Sequence, residues 1–188
     1  MRVIAGTARS IPLTAPAGSN TRPTTDKIKE TLFNILQFDL QGAVFIDIFA
    51  GSGAIGIEAL SRGARQAVFV DSGRDAISCI TANVKKCRFE DKSLIVKTDA
   101  AQFAGYALKA DIKDADKLII FMDPPYGKDL ELPVLKAIHE SGLLKEDSIV
   151  IVEEELKYEL AAPEQYGLEL YRTKEYKNQK HLFLRKAL

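Results

Sequence analysis

The sequence predicts a doubly wound α/β fold, a mostly parallel, seven-stranded Rossmann-like sheet with a C-terminal antiparallel hairpin and a small N-terminal extension. Three observations predict it. From Gly42 onward, short and nearly continuous apolar runs alternate with helical patterns, as strands buried on both faces of a parallel sheet require. The first run leads into a glycine-rich turn, Gly51-Ser52-Gly53-Ala54-Ile55-Gly56, that opens a helix. The last two runs face each other across a short polar turn, as an antiparallel pair does.

The elements follow in order. Residues 1–23 form the extension, in which 3–5 and 11–14 flank Gly6 like a small hairpin, and Pro12 restricts the second arm to an edge. Residues 24–188 form the core of the single domain. Thr24 or Thr25 can cap a first helix, Asp26 suits its first turn, and Ile28, Leu32, Ile35 and Leu36 recur on one face. Strands are predicted over 44–48, 67–70, 94–97, 118–122 and 149–152. Helices are predicted over 54–61, 75–86 and 132–141, with Gly63 and Gly142 as stops and Pro133 tolerated in a first turn. A further helix is read over 102–109. Residues 168–172 and 181–184 pair around a turn at 177–180.

Composition removes several classes of function. The 188 residues are 46% hydrophobic and 28% charged, which suits one globular domain. The first residues hold no apolar run long enough for a signal peptide, and no stretch approaches the roughly 18 apolar residues of a membrane helix. A soluble, cytoplasmic protein is expected. Cys79 and Cys87 fall in one helical stretch, far in sequence from His139 and His181, so two reduced structural thiols and no metal site are expected. Net charge is zero. Both ends are nonetheless basic, through Arg2, Arg9, Arg22, Lys27 and Lys29 at one and Arg172, Lys174, Lys177, Lys180, Arg185 and Lys186 at the other. If folding joins them, they make a local patch for a phosphate backbone.

Ligands of such sheets bind outside the carboxyl ends of the strands. The first strand ends in Asp47-Ile48-Phe49-Ala50-Gly51-Ser52-Gly53. Gly51, Gly53 and Gly56 also spell the dinucleotide motif, so a nicotinamide-dependent oxidoreductase is one reading. Asp47 discriminates. A carboxylate at that strand end repels a pyrophosphate, whereas S-adenosylmethionine offers an ammonium group there and has no phosphate. Asp71 closes the second strand and can accept both ribose hydroxyls. Asp99 closes the third and can accept from the adenine amine.

The fourth strand ends in Asp123-Pro124-Pro125-Tyr126. An exocyclic amine on a base is a poor nucleophile, because its lone pair is drawn into the ring. Asp123 can accept one of its N–H bonds and the Pro124 carbonyl the other, which turns the nitrogen toward an incoming methyl group. Tyr126 supplies a flat face for a base taken out of its stack. No covalent nucleophile is needed, and the transfer is a direct displacement.

These motifs resemble the class I amino-methyltransferases, whose sheet is the methyltransferase form of this fold. The run Arg22-Pro23-Thr24-Thr25-Asp26-Lys27-Ile28-Lys29-Glu30-Thr31-Leu32-Phe33-Asn34-Ile35-Leu36 resembles the RsmD family, bacterial enzymes that methylate N2 of a guanine in 16S ribosomal RNA. Residues 1–6, Leu60-Ser61-Arg62-Gly63-Ala64 and the overall length fit the same family. The resemblance implies that Asp47, Phe49, Gly51 and Gly53 hold the methionine end of S-adenosylmethionine. It puts Asp71 with Ser72 at the ribose, Asp99 with Ala100 at the adenine, and Asp123, Pro124, Pro125 and Tyr126 at the guanine amine. Arg9, Arg22, Lys27 and Lys128 would meet the nucleic acid. A monomer acting on 16S ribosomal RNA or the small-subunit particle is implied, without metal or membrane. Two positions depart from the family: Ala8-Arg9-Ser10 replaces a basic run, and Ser72-Gly73 replaces a charged residue after Asp71. Adenine-N6 methylation of DNA or RNA shares the Asp-Pro-Pro-Tyr chemistry and is the alternative within the class.

Overall fold

The structure is a computed structural model that describes residues 1–16, 25–103, 112 and 115–187. Helices α1 (Asp26–Ile35), α2 (Ala54–Ser61), α3 (Arg74–Cys87) and α4 (Glu131–Glu140) alternate with β1 (Val44–Ile48), β2 (Gln66–Asp71), β3 (Ser93–Lys97), β4 (Leu118–Met122) and β5 (Ile149–Glu155). β6 (Leu168–Glu175) and β7 (Gln179–Lys186) complete one sheet in the order β3-β2-β1-β4-β5-β7-β6. The first five strands are parallel and β7 runs antiparallel to both β5 and β6.

Alternation along the strands divides the core in two. Phe45, Phe69, Phe121, Ile151 and Phe183 face one side with α1, α2 and α3, and Ile46, Val68, Ile120, Val152 and Leu182 face the other with α4. With both faces covered, the strands read as apolar runs. On α2, Gly56 permits close packing against β2, since a Cβ there would stand 2.4 Å from the Phe69 ring.

The strand and helix expectations agree with the structure to within a residue or two, except at three places. β5 continues through Glu153 to Glu155, and β6 and β7 are longer than 168–172 and 181–184. The polar residues that ended the apolar pattern still pair in the ladder, Glu153 opposite His181 and Glu154 opposite Lys180. At residues 100–102 there is one 3₁₀ turn, and 104–109 of the helix read there lie outside the described residues. The N-terminal hairpin reduces to one bridge, Arg2 to Pro12. Pro12 has no N–H to extend a ladder. Instead α2 anchors this segment: Glu58 accepts from the amides of Ile4 and Ala5 at 2.8 and 3.0 Å, and Ser61 Oγ donates to Ala5 O and accepts from Ala8 N.

α1 begins at Asp26, and Thr25 Oγ1 caps it by accepting from Ile28 N at 3.3 Å. Among the described residues, no helix is long and apolar enough to cross a membrane.

Candidate active site

Parallel strands bring their carboxyl ends to one edge. The sheet order places the switch point between β1 and β4, where two neighbouring connections leave toward opposite faces and open a crevice. Asp71, Asp99 and Asp123 come together there on one cavity of about 570 Å³, within the range of small-ligand sites. Phe49, Gly51, Ser72, Ala100, Pro124, Pro125 and Tyr126 line it too. Among the described residues, its walls carry Asp71, Asp99, Asp123 and Glu153 and no lysine or arginine.

The glycine loop is held by carboxylates. Gly53 is the N-cap of α2, in a left-handed conformation (φ 74°), and has no side chain to satisfy the first amides of the helix. Asp47 does so from the neighbouring strand, its Oδ2 accepting from Gly56 N at 2.9 Å. Asp47 is 2% exposed and, with Gly53, stands behind the cavity wall instead of lining it. Burial raises its pKa well above the usual range, partly offset by the Gly56 amide. The loop turns at Phe49, a non-glycine residue at φ 63° that forms part of the wall.

Asp71 ties two loops together, with Oδ2 accepting from Gly51 N at 2.9 Å and Oδ1 from Gly73 N at 2.8 Å. A carboxylate has about four acceptor directions, so capacity for ribose hydroxyls is left. Asp99 Oδ1 accepts from Ala101 N at 2.9 Å, which caps the short turn after β3.

At the end of β4, Asp123 N donates to Ile48 O at 3.4 Å and stitches the two central strand ends together. Burial, and then the Glu153 charge, raise the Asp123 pKa. Tyr126 is 39% exposed, and burial followed by the surrounding carboxylates keeps its hydroxyl protonated.

The sequence reading missed Glu153, which is 3% exposed and lines the same cavity. Its signal was present: an acid follows the apolar run 149–152 as Asp123 follows 118–122. Asn178 and Gln179, on the hairpin turn and the start of β7, also line the cavity and gave no signal. They line a second cavity as well, of about 410 Å³, between Thr25, Lys27 and Thr31 of the α1 end and Lys174 and Lys177 of the hairpin. The two basic ends therefore meet beside the first cavity. Lys27 is in this groove, Arg9 and Lys128 are exposed elsewhere, and Arg22 lies outside the described residues. Cys79 donates to Thr14 O at 3.2 Å and Cys87 is buried. Among the described residues, no group of His, Cys, Asp and Glu has a metal-holding arrangement.

Comparison with known proteins finds one family and one fold. A family model described as conserved hypothetical protein 95 matches residues 1–185. The YlbH protein of Bacillus subtilis is 38% identical over 167 residues, 89% of this chain and 88% of that protein. Ribosomal RNA small subunit methyltransferase D of Escherichia coli is 32% identical over 157 residues, 84% and 76% of the two chains. The solved structure of the yhhF protein of Escherichia coli superposes with a TM-score of 0.80 at 29% identity, over 100% of this chain and 99% of that one.

Proposed function

Because the chain belongs to the RsmD family, whose model is described as conserved hypothetical protein 95, we propose that it methylates the N2 amine of a guanine in small-subunit ribosomal RNA. One observation carries the reading. Acids at three strand ends, Asp71, Asp99 and Asp123, wall one cavity, and no basic side chain lines it among the described residues. Such a wall repels the pyrophosphate of a dinucleotide and attracts a cationic cofactor. It opposes the nicotinamide reading of the glycine loop.

The residues fit S-adenosylmethionine. When bound, that cofactor supplies a methyl group on a sulfonium, already an excellent leaving group. Asp71, with Ser72, takes the ribose, and Asp99, with Ala100, the adenine. Phe49 and Gly51 border the methionine end, in a loop that Asp47 holds through α2 and Gly53 lets turn. Asp123 and the Pro124 carbonyl accept the two N–H bonds of the guanine amine, Pro125 stiffens the turn, and Tyr126 stacks on the base. The groove that contains Lys27, Lys174 and Lys177 carries the flanking phosphates. Arg9 and Lys128, both exposed, and Arg22, outside the described residues, are further candidates for contact with the nucleic acid.

Calorimetric titration with S-adenosylhomocysteine tests the cofactor: binding is expected, and binding of NAD in its place contradicts the reading. Asp71→Ala removes an acceptor of two hydroxyls and weakens that binding by about 10- to 100-fold. Titrations of the two proteins side by side measure it. Lys27→Gln combined with Lys174→Gln weakens RNA binding uniformly across sequences and lowers the salt slope by about 1 per lysine. Affinity measured at several salt concentrations checks this.

A further inference from the structure

Glu153 has no part in holding the base or the cofactor, yet it lines the same cavity and is itself held by hydrogen bonds from β7. The β4–β5 register pairs Met122 with Val152, which puts Glu153 laterally beside Asp123. The β5–β7 register puts His181 on its other side. Gln179 Nε2 donates to Glu153 Oε1, and His181 Nε2 lies 2.8 Å from Oε2. The Tyr126 hydroxyl faces it from the β4 end and favours its charged form.

His181 is fully buried, and burial pushes its pKa down to about 3, so its ring is neutral. A neutral imidazole has one N–H. The partners assign it: Nε2–H donates to Glu153, and Nδ1 accepts from the Tyr176 hydroxyl at 3.1 Å. The row Tyr176–His181–Glu153 thus points its donors at one carboxylate, which lines the cavity next to Asp123.

We propose that Glu153 is the base that takes the proton shed by the methylated amine. This role rests on the amino-methyl-transfer reading above. As the N–C bond forms and the S–C bond breaks, the sulfonium becomes a neutral thioether and the positive charge moves to the nitrogen. One N–H bond then breaks, its electron pair stays on nitrogen, and the proton passes to the Glu153 carboxylate. The acid returns the proton to water when the product leaves. Asp123 holds the amine, and Glu153 discharges it. The titratable groups that face Glu153 are Asp123 and Tyr126 from the β4 end, His181 from β7, and Tyr176 behind it. Burial, only partly offset by the Tyr126 hydroxyl, raises Glu153 to about 7, which suits a base at neutral pH.

The test is single-turnover methyl transfer across the neutral pH range, with ¹³C-NMR titration of the glutamate carboxyl carbons as a readout independent of activity. In the wild-type protein the rate should rise with pH to a plateau, and two glutamates, Glu153 and Glu154, should titrate near neutrality. In Glu153→Gln one of these two resonances and the pH step should both disappear, with the plateau about 10²-fold lower and S-adenosylhomocysteine binding unchanged. Tyr176→Phe removes a donor from the row, so the Glu153 charge is less supported and the midpoint should move upward. It decides the matter together with NMR if Glu153→Gln fails to fold. A Glu153→Gln protein that keeps the pH step, near-neutral glutamate resonances that Glu153→Gln leaves unchanged, or an unmoved midpoint in Tyr176→Phe overturns the role of Glu153. A wild-type protein that makes no methylated guanine overturns the functional reading itself, and this role with it.

Discussion

Asp123→Ala is expected to slow methyl transfer by about 10²- to 10³-fold while leaving S-adenosylhomocysteine affinity unchanged, the scale seen when one preorganised polar contact is lost from an active site. The separation follows from position. Asp71 ends β2 and Asp99 follows β3 on the side of the cavity proposed for the cofactor, and Asp123 follows β4 beside Pro124, Pro125 and Tyr126. Its carboxylate is an acceptor for an amine whose lone pair must be turned outward, so its loss is felt in the reaction step. The fold should not suffer. Asp123 is a half-buried acid crowded by Glu153, and alanine relieves that repulsion without touching the backbone bond to Ile48. Asp123→Asn keeps one acceptor oxygen and loses the charge, so its rate should fall between the two. Single-turnover rates with parallel calorimetry distinguish these outcomes. Equal losses in rate and cofactor binding would contradict the division of roles.

Glu58→Ala should destabilise the protein by about 3–5 kcal/mol, as removal of one member of a buried ion pair does. Glu58 is fully buried on α2 and Lys29 is 1% exposed on α1, with Nζ to Oε2 at 3.3 Å. Arg62 Nε donates to the other oxygen at 2.8 Å, and Lys29 Nζ donates to Arg2 O. Burial lowers the Lys29 pKa, and Glu58 is the first influence that raises it. Without Glu58, Lys29 is left with an uncompensated charge and the amides of Ile4 and Ala5 lose their acceptor. The N-terminal segment and α1 should loosen together. Urea unfolding at neutral pH measures the loss, and Lys29→Met in the same background should recover part of it. A midpoint shift too small for a broken buried pair would contradict the clamp.

Much of the sheet was legible because each parallel strand is buried on both faces and therefore reads as an apolar run. The strand-end acids were legible for the same reason, since Asp47, Asp71 and Asp123 interrupt or end such runs. What was not legible depended on neighbours distant in sequence. Asp47 invites a reading as a ligand contact, but its bond to Gly56 is visible only once α2 folds back over β1. Glu153 resembles the end of a strand until β7 pairs beside it and supplies Gln179 and His181. Asn178 and Gln179 enter the cavity only because the hairpin turn folds across the sheet edge. The basic ends were visible in sequence as charge alone. Their meeting in a groove beside the cavity is a product of topology.

The proposed activity is methylation of a guanine N2 amine in small-subunit ribosomal RNA. Nucleoside mass spectrometry of 16S ribosomal RNA from cells with and without this gene tests it. N2-methylguanosine should fall when the gene is removed and return with the wild-type chain but not with Asp123→Ala. An unchanged N2-methylguanosine content, or a loss of N6-methyladenosine in its place, would contradict it.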